Sequence, residues 1–235
     1  MAKQFQSRYG WQWALVLIGG FAWLSIGCSP STLSMLAMPF GDNNVDPEYK
    51  LFTSDKELKI AVVANFKEEQ LSEDVRKADS ELADHVSQFI RQRCEENKQK
   101  VKLIPQAQVR AYQLKQLGQD GEVDPLDLGR HFKVDYVVHL QIDSFSLYEK
   151  LSFPKMFRGH AEIGVNLIKV KLKEDEDHIV FQKQYLPEYP GSKGPIPADG
   201  ANPGQFRRMF LVKAGREITR MFISYPQDEK RNNID

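Results

Sequence analysis

An apolar stretch from Trp13 to Gly27, closing on Cys28, constrains this chain more than any other feature. Lys3 and Arg8 precede it, and the first acidic residue is Asp42. A basic start, a short apolar core and small residues at its end describe an export signal. The stretch is shorter than the roughly 20 apolar residues that a spanning helix needs, and Ser29–Thr32 then interrupts it. The remainder of the chain, from Cys28 onward, is therefore expected to fold outside the cytoplasm. If Cys28 is consumed at the membrane, Cys94 is the one cysteine left, so no disulfide can form within the chain and its core must hold the fold unaided.

The segment Leu24-Ser25-Ile26-Gly27-Cys28 resembles the lipobox of bacterial lipoproteins, although Ser25 stands where that motif usually has Leu. The resemblance implies cleavage before Cys28, a diacylated thiol carrying palmitate-like chains, and an acylated new N-terminus. An uncleaved anchor and an ordinary cleaved signal are the two alternatives. The expected organisation is a signal peptide over 1–27, a lipidated N-terminus and tether over 28–56, one α/β domain over 57–225 and a disordered tail over 226–235. Leu33, Met35, Leu36, Met38 and Phe40 make the first part of the tether more apolar than a plain spacer. The expected location is the cell envelope, with the domain outside the cytoplasm and held to a membrane by lipid.

Charge narrows the partners. Removing residues 1–27 takes Lys3 and Arg8 and no acid, so basic residues fall from 32 to 30 against 32 acidic ones, a net charge near −2. A nucleic-acid binder needs a basic face, and nucleic acid is excluded as a partner on that ground. A polybasic membrane patch is equally unsupported.

Hydrophobic periodicity sets the element order. The run Ile60–Ala64 reads as a buried central strand. From Asp79 to Asn97, apolar Leu82, Val86, Phe89, Ile90 and Cys94 make one helical stripe. Cys94 lies on it as a small core residue rather than a reactive thiol. Val101–Ile104 is a short strand closed by Pro105, Gln106–Leu117 a helix, and Asp124-Pro125 an N-cap opening a short helix to about Phe132. Tyr136, Val138, Leu140 and Ile142 alternate with polar residues along a half-buried strand. A second long strand covers Phe157–Leu172. Its apolar parity switches between Leu167 and Ile168, the mark of a bulge or of a change in the covering layer. The charged run Lys173–Asp177 is a hairpin tip, His178–Leu186 a third long strand, and Gln205–Tyr225 a closing helix with Phe206, Phe210, Ala214, Ile218 and Phe222 on one stripe. The predicted fold class is α/β (α+β): a mixed sheet of about five strands in β-α-β-α-α-β-β-β-α order, with helices mainly on one face.

This order, together with the phrase Leu128-Gly129-Arg130-His131-Phe132-Lys133-Val134-Asp135-Tyr136-Val137-Val138 before a strand, resembles the small α/β domain of three groups. These are the curli secretion-channel lipoprotein, the penicillin-binding-protein activator lipoproteins and the amino-terminal domain of TolB. The resemblance spans roughly residues 57–225 and is one of fold. It implies an envelope partner such as a secretion apparatus or a cell-wall synthesis enzyme. The pair of amphipathic spanning hairpins that marks the curli channel has no counterpart here.

The sequence holds no nucleophile elbow, HExxH, CxxC or phosphate-binding Gly-rich loop. Pairing of the two long strands would put His139, Gln141 and Asp143 on one face with His160, Glu162 and Asn166, a set with zinc-ligand chemistry; a solvated strand face looks the same. No metal, cofactor or catalytic residue is assigned. Two loops are more informative. Leu147–Phe157 carries Tyr148, Leu151, Phe153, Pro154, Met156 and Phe157, and large apolar residues at a loop tip mark a contact surface. Pro187–Gly204 holds five prolines and four glycines, with Tyr189 and Ile196 among them.

The expected function is a lipid-anchored, non-catalytic binding or assembly module for an envelope complex. Its lipidation site is Cys28, and its partner surface is drawn from Tyr148, Phe153, Phe157, Tyr189 and Ile196. Its partners are the membrane, through lipid, and an envelope protein, with homo-oligomer formation open. The alternatives are a ring-forming component of a secretion channel and an envelope hydrolase or metal-dependent enzyme. Replacing Cys28 with Ala should release the chain from membranes or stall it as precursor, and mass spectrometry of the natural N-terminal peptide should find acyl chains. An intact Met1 on the membrane-bound form would contradict this.

Overall fold

The computed structural model describes residues 44–67, 75–117, 123–172 and 177–231. Cys28, the apolar residues 33–40 and most of the charged tip at 173–177 lie outside the described residues.

In chain order, the first elements are β1 (Asn44–Val45), β2 (Leu58–Phe66), α1 (Ala78–Glu96), β3 (Val101–Leu103), α2 (Gln106–Leu117) and α3 (Pro125–Phe132). Then come β4 (Tyr136–Tyr148), β5 (Met156–Lys169), β6 (Ile179–Tyr185), β7 (Glu188–Tyr189) and β8 (Ile196–Pro197). The chain closes with α4 (Pro203–Arg220), β9 (Tyr225–Pro226) and α5 (Gln227–Arg231). Local chemistry sets several boundaries. Asp124 caps α3 by accepting from Leu126 N at 2.8 Å, and Asn202 caps α4 by accepting from Gly204 and Gln205. Pro125 and Pro203 begin these helices, where a missing N–H is harmless.

The sheet is mixed, as expected. Its order is β3-β2-β4-β5-β6, with β2 parallel to both neighbours and β4-β5 and β5-β6 antiparallel. Two further strands from the Pro/Gly-rich segment, β7 and β8, pair with the start of β5 and bring the sheet to seven.

Both faces of the sheet are covered where β2 lies, so β2 alternates between two cores rather than between core and water. Ile60, Val62 and Ala64 join the larger core, where α1 contributes Leu82, Val86, Ile90 and Cys94 and α4 contributes Phe210, Ala214 and Ile218. Ala61 and Val63 join a smaller core with Val109 of α2 and Leu128 of α3. The two long helices thus share one face, and the two shorter ones cover part of the other. β5 shows the same geometry. Ala161, Ile163, Val165 and Leu167 enter the large core, whereas Ile168 and Val170 belong to the small one. The parity switch read from the sequence falls at this change of covering layer, and the β5–β6 register also shifts between Leu167 and Ile168.

The edges of the unit differ from expectation. The domain includes residues before 57: Leu51 and Phe52 are 2% and 7% exposed, and Tyr49 N and Leu51 N donate to Met221 O and Phe222 O at 2.9 and 3.4 Å. The closing helix ends at Arg220, because Tyr225 pairs with Val45 across β1–β9. The expected disordered tail is ordered through Arg231. Glu229 bonds to both Arg93 and Arg220, side chains only 9% and 11% exposed.

Gly159 marks a tight contact between the sheet and α4. A Cβ there would lie 2.8 Å from the Phe210 ring, which is fully buried. Truncating Phe210 to Ala should cost roughly 3–5 kcal/mol. Gly159→Ala should cost about 1–3 kcal/mol by overpacking, and Phe210→Leu in the same chain should return part of it. Thermal melts of the three variants check this; independent, additive losses would show that the ring and Gly159 do not meet.

Candidate functional site

The polar strand face does not assemble a ligand set. His139 pairs with Asn166 and His160 with Ser146, seven residues further along β4, or roughly 20 Å at about 3.3 Å per residue. Among the described residues, no group of three or more His, Cys, Asp or Glu is placed to hold a metal. The zinc alternative fails on register.

The two histidines also occupy different environments. His139 lies on the β4 face that α2 and α3 cover, with Nε2 2.7 Å from Asn65 Oδ1. Burial pushes its pKa from 6.5 down to about 4, against the pull of the Asp124 carboxylate. It is a neutral structural imidazole. Asn166, opposite it on β5, has a buried Oδ1 without a hydrogen-bond partner, and beyond this pair the face is a hydrogen-bonded ladder. Gln184 Nε2 donates to Asp143 Oδ2 at 3.0 Å and to Glu162 Oε1 at 3.1 Å, and Gln141 donates to Asp143 Oδ1 at 3.0 Å. The hydrogen bond from Gln184, with help from Gln141 and Lys67, holds Asp143 below the usual carboxylate range. Further along, Arg158 bridges Glu149 and Glu188 at 3.0 and 3.1 Å beside His160, in an open cleft that Glu162 and Lys150 also line. Arg158 is held between the two carboxylates, and no nucleophile–base pair forms there. Cys94 is fully buried, and burial pushes its thiol up to about 12, which removes it as a nucleophile.

The residues expected to form a partner surface lie toward one end of the described unit. β2 and β4 run parallel and β5 returns, so the β4–β5 turn projects beyond the end of β2. β8 and the start of α4 lie at this same end, whereas β1, β9 and the start of β2 occupy the opposite end. Phe157 is a correction: at 1% exposure it is core, packed between Tyr148 (centroids 5.2 Å) and Phe206 (4.6 Å). Counting back by twos from Ile163 and Ala161 reaches Phe157 on the inward parity; Gly159 interrupts the apolar pattern and hides it. Tyr148 and Tyr189 are half-buried flanks of this stack, Tyr189 lying 5.3 Å from Phe206. Phe153 and Ile196 are exposed, at 100% and 39%. The structure adds Met209 of α4, 47% exposed, whose Sδ accepts from Tyr189 Oη at 3.9 Å. Its position between the inward residues Phe206 and Phe210 gave little sign of an outward side chain.

No protein-family model matches the sequence, and no curated protein does. Solved structures of similar fold include the PelC dodecamer from Paraburkholderia phytofirmans, at 10% identity and a TM-score of 0.38, covering 75% of this chain and 94% of that one. Lipoprotein GNA1162 from Neisseria meningitidis is 14% identical with a TM-score of 0.38, covering 67% and 94%. A protein from Xanthomonas campestris is 11% identical with a TM-score of 0.41, covering 75% and 88%. Among the described residues, no helix is long and apolar enough to cross a membrane.

His139 gives the fold a measurable pH dependence. Its folded pKa lies below its unfolded one, so its contribution is complete above about pH 6.5 and is lost as pH falls toward about 4, to at most about 3 kcal/mol. The melting temperature should fall over this window, and His139→Gln should flatten that limb. An unchanged pH profile in the variant would show that His139 is not buried as described.

Proposed function

We propose that this chain is a lipid-anchored cell-envelope protein whose α/β domain is a non-catalytic binding or assembly module for an envelope complex. One observation carries the reading: four of the seven exposed large apolar side chains among the described residues gather at one end of the domain (the other three, Leu114, Ile179 and Leu186, lie on α2 and at the ends of β6), while most of the polar strand face, the natural place for chemistry, is internally hydrogen-bonded. Leu151, Phe153, Ile196 and Met209 are 105%, 100%, 39% and 47% exposed, and all lie toward that end. Apolar groups so concentrated favour a contact surface. The rigid stack beneath them presents Tyr189 and Ile196 with little ordering cost on binding.

The lipobox resemblance supports the anchor. The chain enters the described unit at Asn44, at the end opposite β8. By the fold resemblance, the partner is an envelope protein of a secretion or cell-wall machine.

Photo-crosslinking from position 193, an exposed neighbour of Ile196, in intact cells, followed by mass spectrometry, tests the reading. Ile196→Ser together with Met209→Ser should abolish the adduct and leave the melt unchanged, because exposed substitutions usually cost within about 0.5 kcal/mol. His139→Gln with His160→Gln should leave the adduct in place. Loss of function in the double-histidine variant alone, with the apolar variant active, would replace the module with an enzyme. Adducts between copies of this chain in discrete large assemblies would replace it with a ring-forming component.

A further inference from the structure

Two of the exposed side chains differ in kind from the rest. Leu151 and Phe153 are exposed at 105% and 100%, so water reaches every side of them, whereas Ile196 and Met209 lie partly against the domain. A flat protein surface covers one side of such a projection; a fluid hydrocarbon layer closes around it. The turn that carries them is built to hold its shape. Ser152 Oγ donates to Glu149 O at 3.1 Å and accepts from Met156 N at 3.1 Å, and Glu149 N donates to Met156 O at 3.0 Å. Its charge is basic. Lys150 and Lys155 flank the two apolar residues, and Lys155 Nζ rests 3.4 Å from the Tyr148 ring centroid. Arg158 below lies between Glu149 and Glu188, so the three basic and two acidic side chains leave the tip one positive charge in excess. In a mature chain of net charge near −2, this tip is locally cationic.

We propose that Leu151 and Phe153 insert into the anionic surface of the same bilayer that holds Cys28, so that the β4–β5 turn is a second, reversible membrane contact. This rests on the lipid-anchor reading above. The bilayer is the occupant that the chain itself keeps within reach. β4 spans about 43 Å over its 13 residues, and residues 28–43 can extend to at most about 55 Å. The tether therefore allows the far end of the domain to turn down onto the membrane. Attachment at one point also raises the effective concentration of lipid at the tip, so a contact too weak to hold a free protein is sufficient. Seated in this way, the turn would orient the surface around Tyr189 and Ile196 relative to the membrane.

A nitroxide label tests this in the full lipidated chain, reconstituted in phosphatidylcholine–phosphatidylglycerol vesicles. Labels go on Leu151→Cys and, as reference, on Leu114→Cys, a position 71% exposed on α2. The label at 151 should be more accessible to oxygen than to a water-soluble nickel complex, and the label at 114 should show the reverse. Lys150→Gln and Lys155→Gln should each lower tip occupancy about fivefold, and phosphatidylcholine alone should do the same as both together. An aqueous label at 151 on vesicle-bound protein would overturn the insertion, as would immobilisation by a protein neighbour in cells without oxygen accessibility. Acyl chains missing from the N-terminal peptide of the vesicle-bound chain would overturn the anchor reading whatever the label reports.

Discussion

The stack of Tyr148, Phe157, Phe206 and Tyr189 holds one end of this molecule together. It ties α4, through Phe206, to β4, β5 and β7, which are already paired by backbone hydrogen bonds there, with ring contacts of 5.2, 4.6 and 5.3 Å. Phe157 is the centre, with Tyr148 on one side and Phe206 on the other. Ring stacking of this kind adds about 0.5–1.5 kcal/mol per pair beyond area burial. The exposed residues around the stack keep their positions because the layer beneath them is core, which separates what is presented from what supports it.

Much of the fold was legible. The stripe Leu82, Val86, Ile90, Cys94 is the buried face of α1, and the Asp124-Pro125 start of α3 carries the expected cap. The register of a two-faced strand was harder to read. His139 looked like the solvent half of an alternating strand, yet α2 and α3 lie over that half, and a neutral imidazole bonded to Asn65 fits there. Alternation reports two different faces; it does not say that the second face is wet. Residues 44–56 gave no period because they are held by tertiary contacts, Leu51 and Phe52 against the end of α4, rather than by an element of their own.

For the site, the apolar turn and Ile196 were readable because exposed large hydrophobes stand out against polar loops. Phe157 was misread for the converse reason: a loop boundary placed too late turned an inward strand residue into a tip residue. The zinc set was an artefact of counting residues by face without their order along the strand, since two histidines on one face can still sit at opposite ends of it. Met209 could not be read, because a helix flanked by loops of unknown path does not reveal where its apolar stripe ends.

The attachment of β1 to β9 has a mechanical consequence. Tension arriving at the N-terminal side of the unit meets the two-residue ladder of Asn44 and Val45 first, then the bonds from Tyr49 to Met221 and from Leu51 to Phe222, and only afterwards β2. Arg93 and Arg220, gripping Glu229 from α1 and α4, brace the far side of that ladder. The load path is a series of small latches that yield one at a time. These latches all lie outside the central β3-β2-β4-β5-β6 sheet.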